Sequence, residues 1–451
     1  MAAYAREDLT KGSINRGLVR FALPLMAGNL LQQCYNIADT WIVGRCIGED
    51  ALAAVGSSYT LMTFLTSVLI GLCMGSSAYF SIQFGRQDRE RLGKGIFLSF
   101  VFIGSLAAAI TVLAAALIDP ILRALRAPAG VYGMMRQYLG CIFWGIPAVF
   151  GYNFFSSLLR AVGNSMASLV LLGVSAALNI GLDLLFVLGL GMGVPGAAIA
   201  TVTAQYAACL CIACYTLLRR PELRIRRAHM VFDREILRSI SGFSVLTSVQ
   251  QSVMNFGILM IQGLVNSFGE AVMAAFAAGV KIDSFAYQPA IDFGNAFSTF
   301  VAQNHGAGEK QRIRQGVRSA VLAMLAFCTV ITALVCSLAE PLLGLFIDAA
   351  RPDIIAIGAE YLRIEASFYF GIGLLSMSYG YYRAIGRPGF SVVLTVCSLG
   401  TRVLLAYLLA PVPAIGVTGI WAAIPIGWLL ADCVAVTRYL LLERRERRAP
   451  A

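Results

Sequence analysis

Twelve runs of about 20 or more mostly apolar residues follow one another along the 451-residue chain. Folded as a helix, each run is long enough to cross the roughly 30 Å hydrocarbon layer of a bilayer. The runs are centred near residues 30, 68, 105, 146, 176, 207, 254, 290, 330, 370, 400 and 427. A composition that is 58% hydrophobic and 13% charged excludes a soluble domain of this length. The sequence therefore predicts an all-α integral membrane protein with twelve transmembrane helices.

The second half of the chain repeats the first. One constant shift aligns two motifs, and a slightly shorter shift aligns two more. The longer shift aligns Arg160–Gly163 with Arg383–Gly386 and Gly193–Gly196 with Gly416–Gly419, and the shorter one aligns Gly48–Glu49 with Gly269–Glu270 and Gly85 with Gly306. Repeats of six helices share one orientation and are related by an axis along the membrane normal. We therefore expect an N-terminal lobe at residues 1–218, a cytoplasmic linker at 219–237 and a C-terminal lobe at 238–451.

The net charge of +11 is distributed as in a membrane protein rather than a nucleic-acid-binding protein. With the amino terminus assigned to the cytoplasm, most Lys and Arg residues fall in the termini and the even-numbered loops, which follows the positive-inside rule. The exceptions are Arg45, Arg123, Arg126, Arg136, Arg351 and Arg363. This pattern predicts a multi-pass protein of the inner or plasma membrane with both termini in the cytoplasm. The basic linker suits either a short helix on anionic lipid or a solvated connector.

Cysteine and histidine patterns point to neither a metal site nor an enzyme. Most of the eleven cysteines lie in predicted helices, where thiols pack as small apolar groups. The only histidines, His229 and His305, lie in predicted loops, so no HExxH motif or catalytic triad is available. We expect no resident cofactor and no enzymatic activity.

A polar stripe runs along predicted helix 1. Gly28, Gln32, Tyr35 and Asp39 are spaced i, i+4, i+7 and i+11, which places them on one face. A charged carboxylate near the bilayer interior costs at least about 2.5 kcal/mol. Asp39 must therefore face a wet cavity, meet a cation or carry a proton.

Predicted helices 5 and 6 carry a matching set of polar groups. Asn179 and Asp183 are one turn apart in helix 5, and Thr201 and Gln205 are one turn apart in helix 6. With Asp39, they provide two carboxylates, an amide and a hydroxyl. Such oxygens can hold protons or a small monovalent cation, and the alternative is that the acids only hydrogen-bond helices together.

Pro24 lies inside predicted helix 1, where it removes a backbone hydrogen bond and favours a bend. The bend is either a passive kink or a moving hinge.

The second lobe contains a mixed set of charges. Predicted helix 8 carries one stripe and a second pair of polar residues, while helices 10 and 11 add one charge each. These residues are Lys281, Gln288 and Asp292 in the stripe, Asp283 and Tyr287 beside it, Glu365 in helix 10 and Arg402 in helix 11. They either neutralise one another, or Lys281 and Arg402 form a basic wall for substrate carboxylates. Asp432 in helix 12 has no assigned role.

Motifs in this order and spacing resemble those of the multidrug and toxic compound extrusion (MATE) transporters. The motifs are Pro24 with Asn29-Leu-Leu-Gln-Gln-Cys-Tyr35-Asn36-Ile-Ala-Asp39-Thr40, Ala51-Leu-Ala-Ala-Val-Gly56, Arg160-Ala-Val-Gly163, Ala177-Leu-Asn179-Ile-Gly-Leu-Asp183 and Ala302-Gln303-Asn304-His305-Gly306-Ala307-Gly308. The resemblance covers nearly the whole chain. It implies two six-helix lobes around a central cavity, and export of amphipathic, mostly cationic compounds driven by a cation gradient through alternating access.

The resemblance also implies roles for particular residues. Asp39, Asn179, Asp183 and Thr201 match the cation or proton site of the N-terminal lobe. A second set of residues matches the bending helix or the substrate cavity beside that site: Pro24, Gln32, Tyr35, Asn36 and Gln205. Some family branches have a functional Glu in helix 7, where this chain has Gln250, Gln251 and Ser252, so we expect the coupling site in the first lobe.

Two questions stay open at this point. We favour a proton as the coupling ion, with sodium alone or both ions as the alternatives. We favour a monomeric antiporter for small organic compounds, with a lipid-linked precursor flippase of the same superfamily as the alternative.

Overall fold

The computed structural model describes residues 8–125, 127–348 and 350–448 of the chain. Within these ranges the protein is helical and contains no β-strand. Arg126, one of the six basic residues assigned to the outer side, lies outside the described residues, as do the first seven and last three residues of the predicted lobes.

The first lobe contains the six predicted transmembrane helices in eight α-helical pieces. In chain order they are α1 (Ile14–Cys46), α2 (Glu49–Gly85), α3 (Arg89–Ala116), the short α4 (Ile118–Ala124), α5 (Ala129–Ile142), α6 (Ile146–Ala161), α7 (Met166–Asp183) and α8 (Gly193–Arg219). A single 3₁₀ turn at Phe143–Gly145 joins α5 to α6, which together form one span. Predicted helices 5 and 6 are α7 and α8.

The second lobe repeats this order with one further break, at Tyr287. Its helices are α9 (Arg234–Asn266), α10 (Glu270–Ala286), α11 (Gln288–Gly306), α12 (Lys310–Ser337), the short α13 (Ala339–Leu343), α14 (Pro352–Ala366), α15 (Tyr369–Ala384), α16 (Pro388–Leu409) and α17 (Thr418–Arg448). Predicted helix 8 is α10 followed by α11, and predicted helix 10 is α14 followed by α15. Predicted helices 7, 11 and 12 are α9, α16 and α17.

Nine helices in the described ranges are long and apolar enough, by length and composition, to cross a membrane. The other three predicted transmembrane helices do not meet this criterion of length and hydropathy. The polar stripe around Asp39 lowers the hydropathy of α1. The breaks at Tyr287 and at Ser367 divide the remaining two into pieces of 15 to 19 residues. The predicted fold class, twelve transmembrane helices in two six-helix lobes, is confirmed.

Contacts between the helices divide the chain into two compact units. The first contains Leu23–Ser248 with the described residues before Gly12 and with Gly306–Gly308, and the second contains Gly12–Ala22, Val249–His305 and the chain from Glu309 onwards. A core of Phe80, Phe143, Phe154 and their neighbours fills the first unit. In the second, Trp421 stacks on Phe276 and meets Tyr361 edge-on. The lobe boundary at 219–237 stays a prediction.

The predicted linker packs on the first unit as two short 3₁₀ turns, Pro221–Leu223 and Arg227–His229, and not as one helix on lipid. Leu223 is 2% exposed in the core of that unit. The ring of His229 lies so close to Gly93 of α3 that any β-carbon there would collide with it. Pro221 separates the segment from α8, and the docking of Leu223 and His229 on the first unit holds the chain in short turns.

The internal repeat is visible in the backbone as well as in the sequence. Left-handed backbone conformations recur at equivalent positions of the two lobes. The pairs are Gly48 with Gly269, Gln87 with Gly308, Gly163 with Gly386, and Gly193 with Gly416. Gln87, with φ of 59°, is the one residue other than glycine among the described residues with a positive φ. The equivalent residue in the second lobe is Gly308, which indicates that glycine suits this turn better than glutamine.

Replacing Gln87 by glycine should therefore stabilise the protein. A left-handed conformation costs a residue with a β-carbon about 1–2 kcal/mol, and the greater freedom of glycine in the unfolded chain offsets part of the gain. We expect Gln87→Gly to raise the midpoint of thermal unfolding in detergent, followed by tryptophan fluorescence, and Gly308→Gln to lower it by the equivalent of about 1 kcal/mol.

Gln137, an exposed residue inside α5, provides the matched control, because glycine within a helix costs about 1 kcal/mol. Gln137→Gly should lower the midpoint. A fall of similar size for Gln87→Gly would contradict the interpretation of this turn.

Candidate functional site

Two carboxyl groups lie side by side inside the first unit. Asp39 projects from α1 and is half-buried, while Asp183, the last residue of α7, is 0% exposed. Their side chains interact directly with each other. Among the described residues, no group donates a hydrogen bond to Oδ1 of Asp39 or to either carboxyl oxygen of Asp183. Two acids in contact without a donor are stable together only if a proton or a cation joins them.

Asn179 extends this site by one helical turn. It precedes Asp183 on the same face of α7 and is 4% exposed. Neither its amide nitrogen nor its amide oxygen has a hydrogen-bond partner in the described parts of the chain. A buried polar atom without a partner costs about 1–3 kcal/mol, and such atoms cluster here. The group is therefore suited to a proton, a water molecule or a small cation.

The helix that carries both residues changes its winding immediately after Asp183. Leu184–Gly189 forms a π-helix, in which the amide of Leu190 bonds to the carbonyl of Leu185. A π-turn contains an extra residue, so it rotates the side chains that follow it, and such turns are frequent at functional sites. The sequence pattern did not predict this turn. The glycines that follow at 189, 191 and 193 are the available signal of irregular backbone.

Tyrosines surround the acid pair. Tyr138 of α5 is 6% exposed and is close enough to interact electrostatically with both Asp39 and Asp183. Tyr35 interacts in the same way with Asp39 and with Tyr59 of α2. The sequence pattern singled out Tyr35 and missed the other two. The repeat contained a signal for Tyr138, because the longer of the two shifts aligns it with Tyr361.

An apolar cluster closes one end of the site. Val43 follows Asp39 by one turn and is 0% exposed, and Val187 follows Asp183 by one turn and is 6% exposed. Both belong to a cluster that also contains Val55, Ile142 and Val194. The residues that precede Asp39 on its face, Gln32 and Tyr35, are exposed and half-buried respectively. The acid pair therefore has an apolar side and a polar, accessible side along α1.

The remaining polar candidates of the first lobe are half-buried and make no hydrogen bond to either acid among the described residues. Thr201 and Gln205 of α8 are half-buried, and no hydrogen bond within the described ranges joins them to Asp39 or Asp183. The side chain of Gln205 packs instead against Gly145, at the junction of α5 and α6. Asn36 is half-buried, and its carbonyl accepts the hydroxyl of Thr40 at 2.7 Å.

Pro24 is buried inside α1, which continues as one helix from Ile14 to Cys46.

The second unit contains a different pair of acids, Asp283 and Glu365, which are 1% and 3% exposed. The hydroxyls of Tyr361 and Tyr369 both donate to the carboxyl of Asp283. Glu365 interacts with Asp283, with Tyr361 and with the guanidinium of Arg402. Asp283 therefore has two donors and Glu365 has a positive charge nearby, which the first pair lacks, while one carboxyl oxygen of Glu365 has no hydrogen-bond partner among the described residues.

The helix break at Tyr287 separates the other predicted residues of this lobe. Gln288 donates to Asp292 at 3.3 Å within α11. Lys281 is exposed on α10, with its ammonium 5.7 Å from the ring centre of Phe346. The predicted stripe through Lys281, Gln288 and Asp292 is therefore wrong, because it assumed one continuous helix. Pro289 was the missed signal, since proline is typical of the first turn of a helix.

Across the described ranges, no three His, Cys, Asp or Glu side chains gather closely enough to form a metal site.

Comparison with known proteins places this geometry in a family. A family model described as MatE matches residues 24–185 and 244–408. The chain is 30% identical over 446 residues to the probable multidrug resistance protein YpnP of Bacillus subtilis (strain 168), covering 97% of each. It is 26% identical to an FAD transporter of Shewanella oneidensis, covering 97% of this chain and 96% of that protein.

Solved structures give the same fold. One, described as the outward-facing conformation of a multidrug resistance MATE family transporter of the MOP superfamily, has a TM-score of 0.92 at 23% identity, covering 98% of this chain and 99% of that one. The chain belongs to the MATE family of multi-span membrane transporters.

The two acid pairs should respond oppositely to an isosteric amide. Asp183→Asn removes a carboxyl that has no donor, so it should leave the thermal unfolding midpoint at pH 8 unchanged or higher. Asp283→Asn is the matched control: its NH₂ cannot accept a tyrosine hydroxyl, so one buried donor loses its partner, at about 1–3 kcal/mol. The measurement is the unfolding midpoint in detergent. A loss for Asp183→Asn as large as that for Asp283→Asn would show that Asp183 has a donor after all.

Proposed function

We propose that the protein exports small amphipathic, mostly cationic organic compounds in exchange for a cation, and that Asp39 and Asp183 bind that cation. The observation that carries this proposal is the contact between two carboxyl groups whose inner oxygens have no donor among the described residues. A structural pair would have partners of the kind that Asp283 has in the other lobe.

A proton is the ion that fits this pair best. One proton between the two carboxyls supplies the missing donor and removes one of two adjacent negative charges. Two carboxylates about 4 Å apart repel each other by roughly 4 kcal/mol at an effective dielectric constant near 20. Release of the proton thus changes the energy of the site by an amount that is sufficient to shift a conformational equilibrium. Sodium is the second candidate, because the oxygen of Asn179 adds a third ligand.

We assign the accessible polar side of the pair to substrate. Gln32, Tyr35 and Asn36 lie on α1 towards its amino-terminal end, and the faces of Tyr35 and Tyr59 suit a ligand cation. Gln205 and Thr201 contribute from α8. Pro24 serves as the bending point of α1, so that ion binding at Asp39 changes the shape of this surface.

The similarity to multidrug resistance proteins supports small organic substrates, and the similarity to an FAD transporter keeps nucleotide-like compounds among those to be tested. The flippase alternative is not favoured. It needs a cation-rich cavity, but Arg402 is engaged by Glu365 and Lys281 lies over Phe346. We assign the second-lobe cluster, including Gln288 and Asp292, to structural stabilisation, and the protein to the plasma membrane as a monomer.

The ion assignment predicts the outcome of a vesicle experiment. In reconstituted vesicles without sodium, an imposed pH gradient should drive transport of a fluorescent organic cation by the wild-type protein. Asp39→Asn should abolish this transport, because the site can no longer exchange a proton. Thr201→Ala should reduce it only modestly, since Thr201 makes no hydrogen bond to the pair.

Asp283→Asn is the control for a carboxyl outside the site, and it should retain transport in proportion to the folded protein. Transport driven by a sodium gradient at equal pH, and not by a pH gradient, would replace the proton by sodium. Normal transport by both Asp39→Asn and Asp183→Asn would remove the coupling role from this lobe.

The distribution of basic residues predicts that both termini and the linker face the cytoplasm. In a cysteine-free background, Thr10→Cys and Ala228→Cys should resist an impermeant thiol reagent applied to intact cells and react after permeabilisation. Ala414→Cys, in the exposed loop between α16 and α17, is the control and should react from outside. The opposite pattern would invert the topology.

A further inference from the structure

One buried carboxyl in α17 belongs to neither of the acid pairs. Asp432 of α17 is 7% exposed, and both of its carboxyl oxygens are buried. No described residue donates a hydrogen bond to either oxygen. The cost of burying an unpaired carboxylate is so high that such a group is retained only with a proton, a cation or a partner.

The hydroxyl groups near Asp432 do not donate to it. Tyr379 of α15 is close enough to interact electrostatically with Asp432, but it donates to neither carboxyl oxygen. Thr395 of α16, which lies near Tyr379, donates to the carbonyl of Ser391 at 3.0 Å. Neither hydroxyl therefore satisfies the carboxyl.

A glycine of α15 lies beside the carboxyl. Oδ2 of Asp432 lies 3.8 Å from the point where a β-carbon at position 371 would stand, and that residue is glycine. The β-carbon of Trp428, one turn before Asp432, lies on the same side. Position 371 therefore supplies no side-chain donor to this oxygen.

Charged groups on the helices that pack against α17 do not neutralise Asp432. On α14, Glu365 faces Asp283 and Arg402. On α16, Arg402 faces Glu365, and the thiol of Cys397 lies near Tyr379. On α15, Arg383 donates to Asn295 at 3.3 Å. None of these charged groups forms a hydrogen bond or an ion pair with the Asp432 carboxyl.

We propose that Asp432 is a second proton-binding site, inside the second lobe and separate from the Asp39–Asp183 pair. A metal cation needs several ligands at once, and no three His, Cys, Asp or Glu side chains gather around Asp432 or elsewhere in the described ranges, so we take the ligand to be a proton. The Asp432 carboxylate binds one proton per protein molecule on a carboxyl oxygen and becomes a neutral carboxylic acid. Release of that proton restores the carboxylate. Proton binding at Asp432 does not require that the proposed transport function be correct.

Infrared difference spectroscopy on the full-length protein in lipid nanodiscs tests this site without any transport assay. The background variant Asp39→Asn/Asp183→Asn removes the acids of the first lobe. In this background, a step from acid to alkaline pH should still remove a carbonyl band typical of a protonated carboxylic acid. Adding Asp432→Asn should abolish that band, while adding Asp283→Asn should leave it in place.

Persistence of the band in the Asp432→Asn variant would overturn the proposal. So would a carboxylate band that responds to sodium at constant pH and loses this response with Asp432→Asn, because it would identify a metal cation as the ligand.

Thermal unfolding distinguishes proton binding at Asp432 from a purely structural role of this residue. A carboxyl with no donor and no counter-ion contributes no ionic contact, so Asp432→Asn should unfold at the same temperature as its parent or higher. A clear loss would reveal a hidden partner and contradict the proposal. If Asp432→Asn did not fold, Asp432→Glu should keep a protonated-acid band at a shifted frequency, and loss of that band would contradict the site equally.

Discussion

The contact between Asp39 and Asp183 is the constraint on which the first lobe depends. Their oxygens lack donors in the described structure, so the low-dielectric interior makes the energy of the lobe sensitive to one bound charge. Val43 and Val187 make the surroundings apolar at one end, and Tyr138 lies close to both acids. In the proposed mechanism, ion binding at this pair changes the energy of the lobe, and α1 responds by bending at Pro24.

Much of this arrangement follows from the sequence by elimination. Polar residues cannot face lipid, so the helical spacing of Gln32, Tyr35 and Asp39 defined one inward face of α1, and Asn179 with Asp183 defined another. The repeat added the lobe architecture, because matching motifs at constant shifts require matching helices. Periodicity suffices for these features, since each depends on residues within one helix.

Features that depend on helix breaks or on packing between helices could not be predicted from the sequence. The stripe that included Lys281 failed because α10 ends at Ala286, although Pro289 marks the start of a new helix. Tyr138 shows no sequence signal except its alignment with Tyr361, since its place beside the acids is set by how α5 packs. Asp432 is isolated because the helices packed around it supply no hydrogen-bond donor. The absence of a donor depends on packing between helices, so it cannot be predicted from the spacing of residues in the sequence.

The repeat also explains how one architecture yields two electrostatic outcomes. The shift that aligns Tyr138 with Tyr361 also aligns Asn179 with Arg402, so the two acid pairs have equivalent neighbours with different charge. In the second lobe the guanidinium of Arg402 acts on Glu365 and two tyrosine hydroxyls donate to Asp283, so the lobe itself supplies one positive charge and two donors to its acids. In the first lobe, Asn179 with its uncharged amide occupies the position equivalent to Arg402. Under the proposed coupling role, the balancing positive charge comes from outside the protein, whereas a structural cluster supplies that charge from its own residues.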